Sequence, residues 1–152
     1  MNKTILALVI FLTVLFSCKS KKKEPQIIIK TVTVYRDTCD SDFINKIAQI
    51  ETGANDSLSG ENGMGRGRYG IYEVCVLGSG LNAILGYTHE DMHDKDKADK
   101  VFWAMMGIFN YLYWQKNGAP PSYEDLARMW SGGPMGYEKE ATLRYLEKFK
   151  NM

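Results

Sequence analysis

The sequence predicts a mainly α-helical domain with one small β-hairpin patch, an α+β chain. Three patterns carry that expectation. From about Asp96 to Asn117, the residues Val101, Phe102, Met105, Ile108, Phe109, Leu112 and Tyr113 recur on one broad helical face. Phe43, Ile44, Ile47 and Ile50 repeat the same period over a shorter span. Between the two runs, Gly53, Gly60, Gly63, Gly65, Gly67 and Gly70 punctuate a stretch whose β-prone residues are Ile71, Tyr72 and Val74, which reads as loops and a short hairpin. The 152 residues, 45% hydrophobic and 24% charged, make one ordinary domain and exclude two large ones.

Each element can be justified in order. Residues 1–17 hold Lys3, an apolar run from Ile5 to Phe16 and a small Ser17, the pattern of an export signal. A run of about 12 apolar residues is too short to cross a bilayer core of roughly 30 Å. Residues 18–39 form a basic tether followed by a β-prone spacer, in which Ile27, Ile28, Ile29, Val32, Val34 and Tyr35 suit either an extended linker or an edge strand. The folded domain is expected over 40–152. Asp40 is placed to cap the first helix, which ends near Glu51. The Gly-rich stretch is not a phosphate loop, because no strand leads into it and no G-K-[ST] follows. The long helix is expected to be central and buried, with Trp103, Phe109 and Trp114 in the core. Ser122-Tyr123-Glu124-Asp125 caps a helix through Trp130, Gly132-Gly133-Pro134 breaks it, and Tyr137 to Lys150 reads as a last amphipathic helix.

The end of the signal, Leu15-Phe16-Ser17-Cys18, resembles the bacterial lipoprotein signal, which implies that Cys18 is lipidated and becomes the first residue of the mature chain. The resemblance implies a membrane anchor through the N-terminal lipid and a place in the cell envelope, facing the periplasm or the cell exterior. Without the signal the formal charge is zero, but it is unevenly spread. Lys19, Lys21, Lys22, Lys23, Lys30 and Arg36 face Glu24 and Asp37 before residue 40, and from Asp40 onward 12 bases meet 16 acids. The basic stretch suits an anionic membrane surface or a solvated tether. An acidic globular part argues against nucleic acid as a partner, since phosphate binding needs clustered Lys and Arg. With Cys18 lipidated, Cys39 and Cys75 remain, either as one disulfide or as two thiols.

His89-Glu90-Asp91-Met92-His93 fits H-E-x-x-H, the spacing that sets two imidazoles on one helical face with a Glu base between them. These are the chain's two His, however, and the run continues Asp94-Lys95-Asp96-Lys97, a solvated charge pattern. Thr88 followed by Asp91 suggests a capping box at an exposed helix start. The better expectation is surface His and no metal or other cofactor.

A wider constellation carries more chemistry. Ile50-Glu51-Thr52-Gly53 ends a helix and Gly70-Ile71-Tyr72-Glu73-Val74 ends the Gly-rich stretch. The C-terminal part then reads Ala127-Arg128-Met129-Trp130-Ser131-Gly132-Gly133-Pro134-Met135-Gly136, followed by Thr142-Leu143-Arg144-Tyr145. That order resembles the lysozyme-like superfamily over residues 40–150. It is similar to invertebrate-type lysozymes, with their A-R-x-x-N-G-G-P-x-G segment and later T-x-x-Y-W, and to lytic transglycosylases, with E-S at a helix end and a G-x-x-Q-[IL] strand. The resemblance implies a lysozyme-like fold and cleavage of the β-1,4 MurNAc-GlcNAc bond of peptidoglycan glycan strands, by a monomer. Glu51 is then the general acid, in keeping with the raised pKa of a carboxyl lodged among apolar groups. Hydrolysis asks for a second carboxylate, while a transglycosylase manages with one and lets a substrate hydroxyl close an anhydro ring. Glu61 and Glu73 are the candidates for the second. Tyr72 and Tyr145 suit sugar stacking and hydrogen bonding, and Ser131, Gly132 and Gly133 suit a close approach to the sugar.

Three positions depart from the family pattern: Glu73 stands for Gln, Ser131 for Asn and Thr52 for Ser, and the disulfide density of invertebrate-type enzymes is missing. Glu73 and Ser131 favour a second reading, a non-catalytic glycan-binding envelope lipoprotein. A third, a zinc peptidase, stands on His89 and His93 alone.

Overall fold

The computed structural model describes residues 41–152. The export signal, Cys18, the 18–39 segment, the Asp40 cap and the Cys39 half of the expected disulfide lie outside the described residues, as does the side chain of Glu61. The described chain is mainly α-helical with one small antiparallel sheet, as the periodicities predict.

Helix α1 (Ser41–Thr52) forms where the apolar period demands it and buries Phe43, Ile47 and Ala48. It closes with Gly53 N–H on Gln49 O at 3.1 Å, the bond of an αL cap with Gly53 left-handed at φ +66, and with Ala54 N–H on Ala48 O at 2.9 Å, which together satisfy two of its last carbonyls. The Gly-rich stretch then makes three strands rather than one hairpin: β1 (Ser59–Gly60), β2 (Gly65–Arg66) and β3 (Ile71–Tyr72), antiparallel in that order. Gly60 pairs with Gly65, and Arg66 with Ile71. Strand β1 has no sequence signal, because Ser and Gly carry no side chain that favours a pleated surface. Val74, expected in the β patch, instead belongs to helix α2 (Glu73–Val76) and is 68% exposed. The chain turns helical there because Ile71 and Val76 are the residues that reach the core.

After α3 (Leu81–Leu85) and a 3-10 turn (Glu90–His93), Asp94 caps α4 (Lys95–Asn117) by accepting from Lys97 N–H at 3.1 Å. The sheet lies against that 3-10 turn: a Cβ on Gly67 would collide with the carbonyl of Met92. The first half of α4 is the centre of the core, with Val101 through Gly107 buried without a break. Phe102 is its hub. It stacks on Tyr69 at 4.6 Å, meets Trp130 at 4.8 Å and Phe43 at 6.2 Å, and so joins α4 to the β2–β3 turn, to α5 and to α1. The second half of α4 outruns this packing. Leu112 and Trp114, expected in the core, are 40% and 50% exposed, because beyond Phe109 the helix is met on one side, where Tyr113 packs on Tyr137 at 4.6 Å.

Helix α5 (Tyr123–Gly132) opens on the expected cap: Ser122 Oγ accepts from Asp125 N–H at 3.1 Å, and the Asp125 carboxylate accepts from Ser122 N–H at 3.0 Å. The last expected helix is broken. Gly136–Glu138 and Glu140–Thr142 form two 3-10 turns, and regular helix α6 spans Leu143–Lys150. The cause is a side-chain network that captures backbone carbonyls a helix would have used. The buried Thr142 hydroxyl sits 2.7 Å from Gly136 O and 2.8 Å from Lys139 O, and accepts from Arg128 Nε at 2.9 Å. Arg128 Nη2 donates to Lys139 O at 2.9 Å. Gly136 itself lies flat against α5, where a Cβ would strike Arg128 O.

Two outcomes follow from this packing. Gly136→Ala forces backbone apart and should cost more than about 3 kcal/mol in urea unfolding, while Gly60→Ala, with open space around its Cβ, should stay within about 1 kcal/mol. Asp91 takes hydrogen bonds from Lys97 Nζ at 2.5 Å and from Thr88 N–H and Oγ1 at 2.8 Å each, which holds its carboxyl at about 2, below the usual carboxylate range. A depressed folded-state pKa stabilises the fold above the unfolded value and loses that contribution as pH falls through the folded one. An NMR titration should therefore place the Asp91 carboxyl midpoint near 2, and Asp91→Asn should flatten the loss of stability across that acid window.

Candidate active site

Glu51 occupies the last turn of α1 and is half-buried. Its Oε1 accepts the Tyr145 hydroxyl at 2.7 Å, a contact that joins the first described helix to the last across 94 residues. Its Oε2 faces Gly70, where a Cβ would stand 3.6 Å away. The neighbouring Thr52 donates its hydroxyl to Arg68 O at 2.7 Å and so pins the β2–β3 turn to the end of α1. From the other side Tyr69 is fixed by donating to Asp99 Oδ1 on α4 at 2.5 Å. Burial, aided by that bond to Asp99, pushes the Tyr69 phenol far above its ordinary range, so it remains a donor.

These contacts enclose a cavity of about 280 Å³. Ile50 and Glu51 line it from α1, and Gly70, Ile71 and Tyr72 from the sheet edge. Cys75 of α2, Trp130 and Ser131 of α5, and Tyr145 and Lys148 of α6 complete the wall. Burial first, and then the charge of and hydrogen bond to Glu51, push the Tyr145 phenol well above its ordinary range. Tyr145 therefore stays protonated and donates to the carboxyl. Burial also raises the Cys75 thiol, which keeps it from acting as a thiolate nucleophile at neutral pH.

Of the residues expected in the site, Glu51, Tyr72, Ser131 and Tyr145 come together on this cavity. Glu73 does not: it opens α2, is exposed, and lines no part of the wall. Gly132 and Gly133 also stay off it. A Cβ on Gly132 would stand 2.6 Å from Thr142 Cγ2, and Gly133 leaves the helix at φ +79, so the pair serves helix termination and packing against Thr142. Glu61 begins the 3-10 turn between β1 and β2, and its side chain lies outside the described atoms. Cys75 is present in the wall, while its pairing with Cys39 falls outside the described residues.

His89 and His93 sit on a 3-10 turn rather than an α-helix. At about three residues per turn, positions i and i+4 point roughly 120° apart, so the spacing loses the common face that zinc ligation would need. Each ring has a structural partner instead. His89 Nε2 meets Ile71 O at 2.7 Å and His93 Nδ1 meets Asp56 O at 3.1 Å, which staples the sheet to the turn. Among the described residues no group of three His, Cys, Asp or Glu is arranged to hold a metal ion.

No family model, curated protein or solved structure matches the chain.

Six wall residues were not expected in the site, and each stands beside or within one helical turn of one that was; Ile50 precedes Glu51 and Ile71 precedes Tyr72. Gly70 precedes Ile71-Tyr72, Cys75 follows Tyr72 by three, Trp130 precedes Ser131, and Lys148 follows Tyr145 by three, one turn along the same helix. The larger omission was Arg128 with Thr142. Their network, not the Gly-Gly pair, turns the chain so that α6 brings Tyr145 to Glu51. Thr142→Val keeps the volume and deletes the hydroxyl, leaving Arg128 Nε and Gly136 O short of a partner. It should lower the unfolding free energy by about 1–3 kcal/mol in urea titrations.

Proposed function

We propose that this chain is a lysozyme-like peptidoglycan glycosidase, carried by a lipoprotein in the cell envelope, that cleaves the β-1,4 MurNAc-GlcNAc bond with Glu51 as general acid. The observation that carries the reading is the Glu51 carboxyl on a cavity wall with its Oε1 held by Tyr145 at 2.7 Å. With Oε1 held by the Tyr145 hydroxyl, the catalytic proton is assigned to Oε2, on the side that faces Gly70, for delivery to the glycosidic oxygen. Tyr72 and Trp130 supply ring faces and Ser131 a hydroxyl for the sugars. Among the described residues, Glu51 is the one carboxylate in the wall, which favours single-acid chemistry. Glu51 gives its proton to the departing oxygen, and its carboxylate then takes the proton of the sugar's own hydroxyl as that oxygen closes on the anomeric carbon. The anhydro product of a lytic transglycosylase results.

The exposure of Glu73 off the cavity favours a second reading, in which the same groove binds glycan without cutting it. The two separate in a digest of purified sacculi by the full chain in detergent micelles, with released muropeptides read by mass spectrometry. Anhydro-ended fragments are expected from the parent, with release reduced at least about 100-fold by Glu51→Gln. Tyr145→Phe should lower turnover by about tenfold, since it removes one hydrogen bond to an ionisable group. Reducing ends in place of anhydro ends would replace the single-acid route by hydrolysis. Retained binding with no release from the parent would establish the glycan-binding reading.

A further inference from the structure

Tyr145 fixes Oε1 of Glu51, while the space beside Oε2 is set by a different element, the turn Gly67–Gly70 between β2 and β3. The turn closes with Gly70 N–H on Gly67 O at 3.0 Å, and both glycines are left-handed, at φ +67 and +58, with no side chain to anchor them. Its place is set from outside. Thr52 of α1 donates to Arg68 O at 2.7 Å, and the buried Tyr69 reaches across to α4, where its hydroxyl donates to Asp99 Oδ1 at 2.5 Å. Asp99 is in turn fixed by charge. Lys95 Nζ donates to its Oδ2 at 2.8 Å, and Arg68 stands with Nη1 4.0 Å from its Oδ1 and Nε 3.5 Å from Asp56 Oδ1. The Arg68 guanidinium also lies over the Tyr69 ring, 5.5 Å from its centre. Arg68, Tyr69 and Asp99 line no part of the Glu51 cavity, so a ligand held there does not meet them.

We propose that Tyr69 and Asp99 are positioning residues for the Glu51 acid, a bolt between α4 and the β2–β3 turn that keeps Gly70 in place on the Oε2 side of the carboxyl. The inference rests on the reading of Glu51 as general acid and adds the pair of residues that keep its second oxygen in register with the substrate. Tied by Thr52 alone, the turn is held at one edge and can pivot about Arg68 O. The Tyr69 bond adds a second attachment from another helix, and two attachments fix orientation as well as position. Gly70 follows Tyr69 directly in the chain, so a shift of the Tyr69 backbone is passed to it. A Cβ there would stand 3.6 Å from Oε2, so a movement of about 1 Å reshapes the space that the glycosidic oxygen enters, and misplacement on that scale can cost about 100-fold in rate. Tyr69 is 1% exposed, so a hydroxyl that loses Asp99 does not regain its bond from bulk water.

The test compares Tyr69→Phe, Asp99→Ala and Asp99→Asn in the full chain in detergent micelles. Two quantities are read: kcat and KM on soluble glycan strands, and the NMR shift of the Glu51 carboxyl carbon. Tyr69→Phe keeps the ring that stacks on Phe102, and Asp99→Asn keeps an oxygen that can accept the phenol, so both variants retain the packing. Tyr69→Phe and Asp99→Ala should each lower kcat about tenfold with KM within about twofold, and the double variant should lose no more than either alone. Asp99→Asn should stay within about threefold of the parent. The Glu51 carbon shift should move in the first two variants and hold in the third. A bond that serves stability alone would lower the melting temperature and leave kcat per folded molecule and the carbon shift unchanged, and that result overturns the inference. So does a loss confined to KM, an additive loss in the double variant, or an Asp99→Asn chain as impaired as Asp99→Ala. A parent that releases no fragments removes the general-acid reading, and the carbon shift then decides the bolt by itself. A cleaving parent whose kcat and carbon shift ignore all three substitutions keeps the acid and removes the bolt.

Discussion

Phe102 joins, through aromatic rings, three of the parts of the chain from which the Glu51 cavity is built, α1, the β2–β3 turn and α5, and α6 is reached through one further ring. Tyr69 lies on one side of it, just before Gly70, and Trp130, itself in the cavity wall, on another. Phe43 continues the cluster from α1 to Phe149 of α6 at 5.7 Å. Each such pair adds about 0.5–1.5 kcal/mol to the burial of the rings themselves. More important for the site is that tilted and edge contacts fix orientation as well as distance. The sheet is too short to hold itself in place, with two residues in each strand, so its position is borrowed from this cluster and from polar staples.

Those staples share a form: a side chain of one element satisfies a backbone carbonyl of another. Thr52 does so for Arg68, His89 for Ile71, His93 for Asp56, and Arg128 and Thr142 for the turns before α6. A carbonyl in a tight turn has no ladder partner, and burying it unpaired would cost about 1–3 kcal/mol, so each staple relieves a cost the fold itself creates. The two His belong to this set. Their imidazoles are spent on carbonyls, which explains their presence in a run that otherwise looks like a metal motif. The Ala127–Gly136 segment is explained in the same way. Arg128, Gly132 and Gly136 shape the corner between α5 and α6, and Ser131 is the member of that segment in the wall beside Glu51, with Trp130 before it.

The cavity and a shallower adjoining groove of about 420 Å³ share α6 as a wall. One face of this short helix carries Tyr145 and Lys148 to Glu51, and the neighbouring face carries Arg144 and Glu147 to the groove. A single helix thus orients the proposed acid and supplies charges beside it. The corner that Thr142 holds sets where that helix runs.

By itself the sequence determined the helices α1, α4 and α5 and the Ser122 cap, and it singled out Glu51, Tyr72, Ser131 and Tyr145, which line one cavity. Those are properties of local period, local hydrogen bonding and residue chemistry, which need no knowledge of distant neighbours. Strand β1 was illegible because Ser59 and Gly60 are strand only through their partners, Arg66 and Gly65. Leu112 and Trp114 share the period of a buried face, and it is the extent of the packing around α4 that leaves them outside. Glu73 and Val74 follow Tyr72 in sequence as strand residues would, yet the competition for core space, won by Ile71 and Val76, turns them into an exposed helix start. The break between Tyr137 and Leu143, the approach of Tyr145 to Glu51 and the charged groove of α6 were decided by tertiary structure. Each depends on Arg128 and Thr142 capturing carbonyls across a chain reversal, an interaction whose energy exists only once the two segments have met.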